Sequence, residues 1–313
     1  MIVKTNFVQE NFDSKELQAV NAGDWLESTF EEPALEILLD GLLYAASKLL
    51  LVGPSKARKS FFVSQLALSL SLGLNFLGWK VSRKFRCLVV QPEVHAFIYR
   101  LRLLAQLRGL GFCPQQLEDR LEIVNARGQR PGEALLNGDI LKLAKDYPIE
   151  VLLLDPLYKF LPFGTETSDD FKPVLEAMDL IVAETGVAIV TAHHTPKGNS
   201  ADRLVLDRAA GHGSLTRDAD AILTLTTHQQ EGLLVVNSIA RAFPPQPAFS
   251  IGFDDESLLF NVADIPVATK SSATIRRQRA PQVSDAQILG LFNAGPLAPP
   301  QAFAELRRLG LGA

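Results

Sequence analysis

The segment from residue 49 to residue 68, LLLVGPSKARKSFFVSQLAL, constrains the fold more than any other part of the chain. An apolar strand leads into Gly53, a short polar loop follows, and Lys59 and Ser60 begin an amphipathic helix. This order matches the phosphate-binding pattern G-x-x-x-x-G-K-[ST], except that Arg58 occupies the position of the second glycine. Because strand, loop and helix N-terminus occur together, the segment predicts an α/β domain that binds a nucleotide.

Backbone N–H groups of this loop and of the helix N-terminus are expected to converge on phosphate oxygens. Lys59 would reach the β- and γ-phosphates, and Ser60 would ligate Mg²⁺. A residue other than glycine at positive φ costs about 1–3 kcal/mol, which phosphate contacts can offset at Arg58. The alternative is a Lys-Ser pair that begins an ordinary helix. The predicted phosphate-binding residues are Gly53, Pro54, Ser55, Lys56, Ala57, Arg58, Lys59 and Ser60.

Composition limits the class of protein. The chain has 313 residues, 47% of them hydrophobic, which suffices for one large α/β core and a small appendage. A net charge of −4 gives no global support to nucleic-acid binding, although a local basic surface stays open. Cys87 and Cys113 form no metal-type cluster, and the apolar runs are interrupted before membrane-spanning length. We therefore expect a cytoplasmic protein that does not contact a membrane.

Strand and helix patterns alternate along most of the chain, which predicts a mostly parallel, buried sheet. After residue 213 the pattern changes to a β-hairpin and two further strands, which predicts an antiparallel extension of that sheet. The predicted strands cover residues 86–91, 121–126, 149–155, 187–194, 221–227, 233–243, 249–254 and 257–263, and the predicted helices cover 60–73, 94–109, 134–146 and 170–185.

Four regions follow from these patterns. Residues 1–30 are mixed and polar and are expected to form an N-terminal arm, and residues 31–263 form the α/β core. Residues 264–283 are rich in Pro, Ser and basic side chains, which is typical of a linker. Residues 284–313 predict two short helices, the first capped by Ser284, that resemble the opening of a helix-turn-helix or winged-helix module.

Two acidic residues follow predicted strands at the edge where ligands of open α/β sheets bind. Glu93 comes directly after strand 86–91, where a carboxylate can polarise the water that attacks a γ-phosphate. Equally, Glu93 can stabilise the dipole of the helix that follows it. Asp155 ends the run VLLLD, which has the form of a Walker B strand that delivers a carboxylate beside Mg²⁺. Its alternative role is turn formation before Pro156.

His193 and His194 end the strand that follows, with one imidazole facing the interior and the other facing out. At this edge one of them can hydrogen-bond a γ-phosphate and report its presence. A zinc site is the rival interpretation, but no further His, Cys or acidic cluster has ligand spacing.

Cationic side chains further along the chain are candidates for contacts outside the nucleotide site. The loop at 195–212 carries Lys197, Arg203 and Arg208, which can face nucleic acid or lie on a solvated surface. Arg241 is a candidate arginine finger that projects into a neighbouring subunit's site, with Arg217 as its main competitor. Arg241 can equally be an ordinary surface arginine on an edge strand.

Taken together, the motifs resemble the RecA-like ATPases, and among them the hexameric replicative helicases of the plasmid RepA type. The segments that carry the resemblance are DGLLYAASKLLLVGPSKARKS, LVVQPE, VLLLDPL, VTAHH and GHGSLTRDADAILTL, in the family's order between residues 35 and 260. The more selective signals are the paired histidines and the pattern formed by Gly213, Ser214, Ala219 and Asp220.

The resemblance implies a RecA-like sheet flanked by helices, with ATP and Mg²⁺ bound between subunits of a homo-oligomeric, hexameric ring that acts on single-stranded DNA. The implied roles are Lys59 and Ser60 for phosphate and Mg²⁺, Glu93 as base, Asp155 as Walker B carboxylate, His194 as γ-phosphate sensor and Arg241 as trans-acting finger. The 195–212 loop would face DNA in the channel. Two rival functions are a nucleotide-dependent switch with weak turnover, which Arg58 favours, and a recombinase-like filament protein.

Overall fold

The computed structural model describes residues 21–28, 35–129, 136–161, 168–194 and 213–269. Its elements in chain order are α1 (Ala22–Ser28), β1 (Ile37–Leu39), β2 (Leu43–Tyr44), β3 (Lys48–Gly53), α2 (Lys59–Leu72), β4 (Cys87–Gln91), α3 (Ala96–Gly109), a 3₁₀ turn (Pro114–Leu117), β5 (Leu121–Asn125), a π-turn (Leu136–Ile140), α4 (Leu141–Asp146), β6 (Val151–Leu154), a second 3₁₀ turn (Leu157–Phe160), α5 (Ser168–Thr185), β7 (Ala188–His194), α6 (Gly213–Asp218), β8 (Ala221–Thr227), β9 (Leu233–Ala240), β10 (Phe249–Asp254) and β11 (Leu259–Ala263).

Within the described residues, nine strands form one sheet in the order β11-β10-β9-β8-β3-β7-β6-β4-β5. The strands from β8 to β5 run parallel to one another, while β9, β10 and β11 add an antiparallel extension beyond β8. The predicted mostly parallel sheet with an antiparallel C-terminal extension is therefore confirmed. The strand β3, which leads into the phosphate-binding pattern, lies inside the sheet between β7 and β8.

Both faces of the parallel strands are buried, which explains their nearly continuous apolar sequences. On β3, Leu49 and Leu51 enter the hydrophobic core that contains α2, whereas Leu50 and Val52 enter the core that contains α5. This alternation follows from the two-residue period of a strand. Since helices cover both faces, ligands reach the sheet from its edges.

The helix α2 is buried around most of its circumference, with every residue from Phe62 to Leu72 inside the protein. Its apolar residues therefore cover all sides rather than one stripe, as is typical of a helix enclosed by other elements. It ends at Gly73, whose φ of 72° lies in the left-handed region that favours glycine. The prediction of an amphipathic helix was correct in position but wrong in its exposed face, because α3 and β11 cover that face.

Several predicted boundaries change in the structure. The helix predicted at 134–146 is described from residue 136 and divides into a π-turn and α4. The strand predicted at 233–243 ends at Ala240, so that Arg241 lies in a bend after β9 rather than on the strand. The C-terminal helical module and the linker beyond residue 269 lie outside the described residues. None of the described helices is long and apolar enough to cross a membrane.

Candidate active site

The register of the parallel strands brings the ends of β3, β7, β6 and β4 to the same edge of the sheet. Gly53 pairs with His194, and Leu154, the residue before Asp155, pairs with Val90. Glu93 follows two residues after β4 ends. The candidate residues from three separate motifs therefore meet at the carboxyl edge, beside the N-terminus of α2, as ligands of open α/β sheets require.

The loop between β3 and α2 has the backbone conformation of a phosphate cradle. Lys56 has φ 67°, and Arg58 has φ 59° and ψ 31°, so both residues lie in the left-handed region. Arg58 begins the helix, because its carbonyl accepts hydrogen bonds from the N–H groups of Phe61 (3.0 Å) and Phe62 (3.2 Å). The N–H groups of the first helical turn have no carbonyl within the helix and are available to an anion.

Gly53 is needed at the start of this loop for a steric reason. A Cβ atom at this position would lie 3.0 Å from Cβ of Leu225 on β8 and 3.4 Å from its carbonyl oxygen. The close approach of β8 therefore requires a residue without a side chain where the strand turns into the loop.

The Lys59 ammonium group bridges the two ends of the loop. Its Nζ donates hydrogen bonds to the carbonyl oxygens of Gly53 and Pro54, each at 2.9 Å. Burial lowers the pKa of Lys59 to about 8, while the charges of Asp155 and Glu93 act in the opposite direction. A charged lysine whose described hydrogen bonds go to neutral carbonyls can transfer to phosphate oxygens when these enter the loop.

Asp155 is 3% exposed and lies beside the start of α2. Burial raises the pKa of Asp155 to about 6; the hydrogen bond from Ser60 lowers it, Glu93 raises it, and Lys59 and Arg102 lower it. The Ser60 hydroxyl and the Asp155 carboxylate thus meet directly. Two hard oxygen donors next to a phosphate cradle fit Mg²⁺, which takes one or two protein oxygens together with phosphate and water.

Glu93 is exposed at the mouth of the site, and its backbone is fixed from below. The buried Gln91 side chain accepts hydrogen bonds from the N–H groups of Glu93 (2.6 Å) and Val94, and donates to the Val94 carbonyl oxygen (2.7 Å). The Tyr158 hydroxyl donates to Oε1 of Glu93 at 3.3 Å. This carboxylate is therefore positioned and accessible to water at the same time.

The two histidines face different surroundings, as the alternation of a strand predicts. His193 is 2% exposed, and its ring packs edge-on against Phe171 at 5.3 Å. His194 is half-buried, and its ring packs edge-on against Tyr158 at 5.5 Å. Because Tyr158 also contacts Glu93, a continuous row of polar side chains joins the ends of β4 and β7 across the site.

The remaining predicted residues lie elsewhere. Arg241 follows β9 at the opposite edge of the sheet, where its guanidinium donates to the Arg217 carbonyl oxygen and its N–H to the Asp220 carbonyl oxygen (2.8 Å). Asp220 is a structural residue in the described contacts, because its Oδ2 accepts from the Lys48 N–H at 2.8 Å. Lys197, Arg203 and Arg208 lie outside the described residues.

Sequence reasoning missed three side chains of the site. Arg102 belongs to a helix whose arginines were expected to be exposed, yet it is half-buried, with its guanidinium 4.5 Å above the Phe61 ring. Gln91 and Tyr158 act on Glu93 and were not anticipated. A polar residue at the end of an apolar strand, as in LVVQPE, is the signal that pointed to Gln91. Nothing in the local sequence distinguishes Arg102 from its exposed neighbours.

Comparisons with known proteins agree with this arrangement. A family model described as an AAA domain matches residues 12–200. Among solved structures, the chain is similar to the ATPase domain of a helicase, with 13% identity, a TM-score of 0.59, and 79% of this chain and 100% of that chain covered. It is also similar to the RadB recombinase, with 12% identity, a TM-score of 0.51, and 72% and 93% covered. These likenesses show a RecA-like fold, and no curated protein matches the chain significantly.

Proposed function

The chain belongs to the AAA domain family and has a RecA-like fold, and we propose that it is an ATPase that hydrolyses ATP with Mg²⁺ to move along or remodel single-stranded DNA. The observation that carries this proposal is the meeting of Lys59, Glu93 and Asp155 at one edge of the sheet, beside the N-terminus of α2. A cation for the phosphates, a carboxylate for a metal and a carboxylate for water are the parts that phosphoryl transfer requires.

The loop residues from Gly53 to Ser60 would bind the triphosphate through their N–H groups, and Lys59 would leave the Gly53 and Pro54 carbonyls to reach the β- and γ-phosphates. Ser60 and Asp155 would hold Mg²⁺, which neutralises charge on the phosphates when bound. Next to a bound cation, the Asp155 carboxylate would stay ionised despite its burial.

Glu93 would orient the attacking water and accept its proton. The Gln91 hydrogen bonds fix the backbone of Glu93, while Tyr158 restrains its carboxylate without covering it. His194, on the neighbouring strand and in contact with Tyr158, would sense the γ-phosphate, with His193 buried beside it. Loss of the γ-phosphate would then change the contacts at the end of β7, from which the 195–212 loop continues.

Arg241 would complete the site of a neighbouring subunit as an arginine finger. Within one chain it lies at the edge opposite Lys59, so only a second copy can bring it to a phosphate. This placement supports an assembly with sites between subunits, which we propose to be a hexameric ring. Recovery of turnover when Arg241→Ala chains are mixed with Lys59→Met chains would support Arg241, and recovery with Arg217→Ala chains instead would favour Arg217.

The work of the ring is proposed from the sequence motifs. The cations Lys197, Arg203 and Arg208, in a loop that begins directly after His194, would face DNA in a central channel. The resemblance to hexameric helicases of the plasmid RepA type favours a role in replication of a plasmid or mobile element, in the cytoplasm.

The test is ATP hydrolysis with and without single-stranded DNA, measured together with the native mass of the assembly. We expect DNA to stimulate turnover, and Glu93→Gln to bind ATP normally while turnover falls by about 100- to 10,000-fold. The matched control is Glu122→Gln, an exposed glutamate on the edge strand β5, which should retain turnover. Normal hydrolysis by Glu93→Gln would place the base elsewhere.

Two alternatives are favoured by specific observations. Arg58 in the left-handed region favours a nucleotide-dependent switch, which would bind ATP tightly and hydrolyse it negligibly whether or not DNA is present. Similarity to the RadB recombinase favours a filament protein. Electron microscopy separates this last alternative, because closed rings contradict it and helical filaments support it.

A further inference from the structure

Arg58 presents a question that its role in phosphate binding leaves open. It lies where the phosphate-binding pattern has glycine, and its φ of 59° is one that side chains other than glycine adopt rarely. A non-glycine residue persists in this conformation only when its surroundings hold it there. The contacts of its side chain therefore decide whether the loop keeps the cradle shape before a ligand arrives.

The Arg58 side chain is held by the turn between β10 and β11. Its Nη1 donates to Oδ1 of Asp255 at 2.8 Å, and its guanidinium carbon lies 3.9 Å above the centre of the Phe253 ring. The Phe253 ring in turn packs edge-on against Phe61 (5.3 Å) in the first turn of α2 and against Phe260 (4.9 Å). One ion pair and one cation–π contact thus join the loop to the antiparallel extension of the sheet.

Two buried glutamines anchor this turn to the helices behind the loop. Gln65 on α2 donates to the Phe260 carbonyl oxygen (2.9 Å) and accepts from the Phe260 N–H (2.7 Å). Gln106 on α3 donates to the carbonyl oxygens of Leu258 (2.8 Å) and Phe61 (2.9 Å). Both glutamines are at most 5% exposed. The partners of Arg58 therefore lie on a fixed support rather than on an independent loop.

We infer that the β10–β11 turn positions the phosphate-binding loop, with Phe253 and Asp255 holding Arg58 in the conformation that glycine provides in the usual pattern. This inference rests on the proposed function, because its effect is read in nucleotide affinity. If the contacts to Arg58 are removed, the loop spends less time in the cradle shape, and the apparent affinity falls in proportion to that lost population. The chemical step is unaffected once the nucleotide is bound, so KM rises while kcat stays constant.

A double-mutant cycle on the full chain tests this arrangement, with binding of a fluorescent ATP analogue in Mg²⁺ as the readout. Asp255→Asn and Phe253→Leu should each weaken binding about three- to tenfold when Arg58 is present. In the Arg58→Gly background, neither substitution should change the affinity measured for that background, because glycine adopts positive φ without support. Arg58→Ala should bind more weakly than Arg58→Gly.

The matched control is Glu256→Gln, which changes the charge of the neighbouring exposed residue on the same turn and should leave affinity unchanged. Equal effects of Asp255→Asn in the Arg58 and Arg58→Gly backgrounds would overturn the inference, as would the absence of any effect while Lys59→Met abolishes binding. If the wild type and Lys59→Met bind the analogue equally, the proposed function fails, and the inference fails with it.

Discussion

Two lysines at opposite ends of one strand show how this sheet separates structure from chemistry. Lys48 begins β3, and Lys59 follows the loop after it. Burial lowers the pKa of Lys48, but hydrogen bonds to Asp179 and Asp218 outweigh burial, so its pKa is raised overall. Burial lowers the pKa of Lys59 to about 8, and its described hydrogen bonds go to carbonyl oxygens. The first lysine is held by its own chain, whereas the second is ready for an anionic ligand.

The same contrast holds for the carboxylates at the two edges. Asp220 and Asp218 at the amino edge bind the backbone and side chain of Lys48 at 2.8 Å. Asp155 at the carboxyl edge is buried with a pKa raised to about 6. Groups whose burial is incompletely compensated concentrate at functional sites, because a ligand supplies the missing charge. The carboxyl edge is therefore recognisable as the reactive one without reference to a motif.

The largest expected effect is on Lys59. Lys59→Met removes the cation that reaches the phosphates, so ATP affinity should fall by about 100-fold or more and turnover should be lost. The melting temperature should not fall, because a poorly compensated buried charge is removed. Equilibrium binding and thermal unfolding measured on the same preparation check both parts, and normal turnover would refute the assignment of the loop.

A smaller effect, of opposite sign on stability, is expected at Asp155. A carboxyl group with a pKa of about 6 when folded and 3.8 in its ordinary state binds its proton more tightly in the folded protein. The folded state therefore loses stability as pH rises from about 4 to about 6, and the penalty is complete above pH 6. Asp155→Asn should raise the free energy of unfolding at pH 7 by about 2 kcal/mol while hydrolysis is lost.

Denaturant unfolding of the wild type and Asp155→Asn from pH 4 to pH 7, without nucleotide, checks this prediction. The difference between the two proteins should shrink as pH falls and vanish near pH 4. A variant less stable than the wild type at pH 7 would show that Asp155 is compensated like the carboxylates of the amino edge.

The smallest effect is expected at Lys48. Lys48→Met leaves Asp179 and Asp218 without their shared cation, which should lower the free energy of unfolding by about 1–2 kcal/mol. Because this cluster lies at the edge away from α2, ATP affinity should not change. The same binding and unfolding measurements apply, and a loss of affinity larger than the loss of stability would end the separation of the two edges.

The sequence predicted the sheet and the three charged residues of the site because each depends on local patterns. Apolar runs ending in Gly53, Glu93 and Asp155 indicate buried strands whose ends share an edge, and register does the rest. The contact between Arg58 and Asp255 was not predictable, since it depends on how β10 and β11 pack on α2. Arg102 was misjudged because helical spacing alone does not show which neighbours cover a side chain.

The motif containing Asp220 shows the opposite limit. Its pattern helped to identify the family, yet the described contacts of Asp220 are with the backbone at the start of β3. A sequence signature thus marks a residue as important without distinguishing a structural role from a catalytic one. The position of Asp220 at the amino edge makes that distinction, and only the strand register reveals it.

Binding of a triphosphate between Lys59, Glu93 and Asp155 is the property on which the proposed activity depends. The most direct test is calorimetric titration of ATP with Mg²⁺ into Glu93→Gln, which holds the nucleotide without consuming it, and into the same chain with Lys59→Met added. We predict saturable binding of one nucleotide per chain in the first case and about 100-fold weaker binding in the second. Equal binding by both proteins, or none by either, would contradict this assignment.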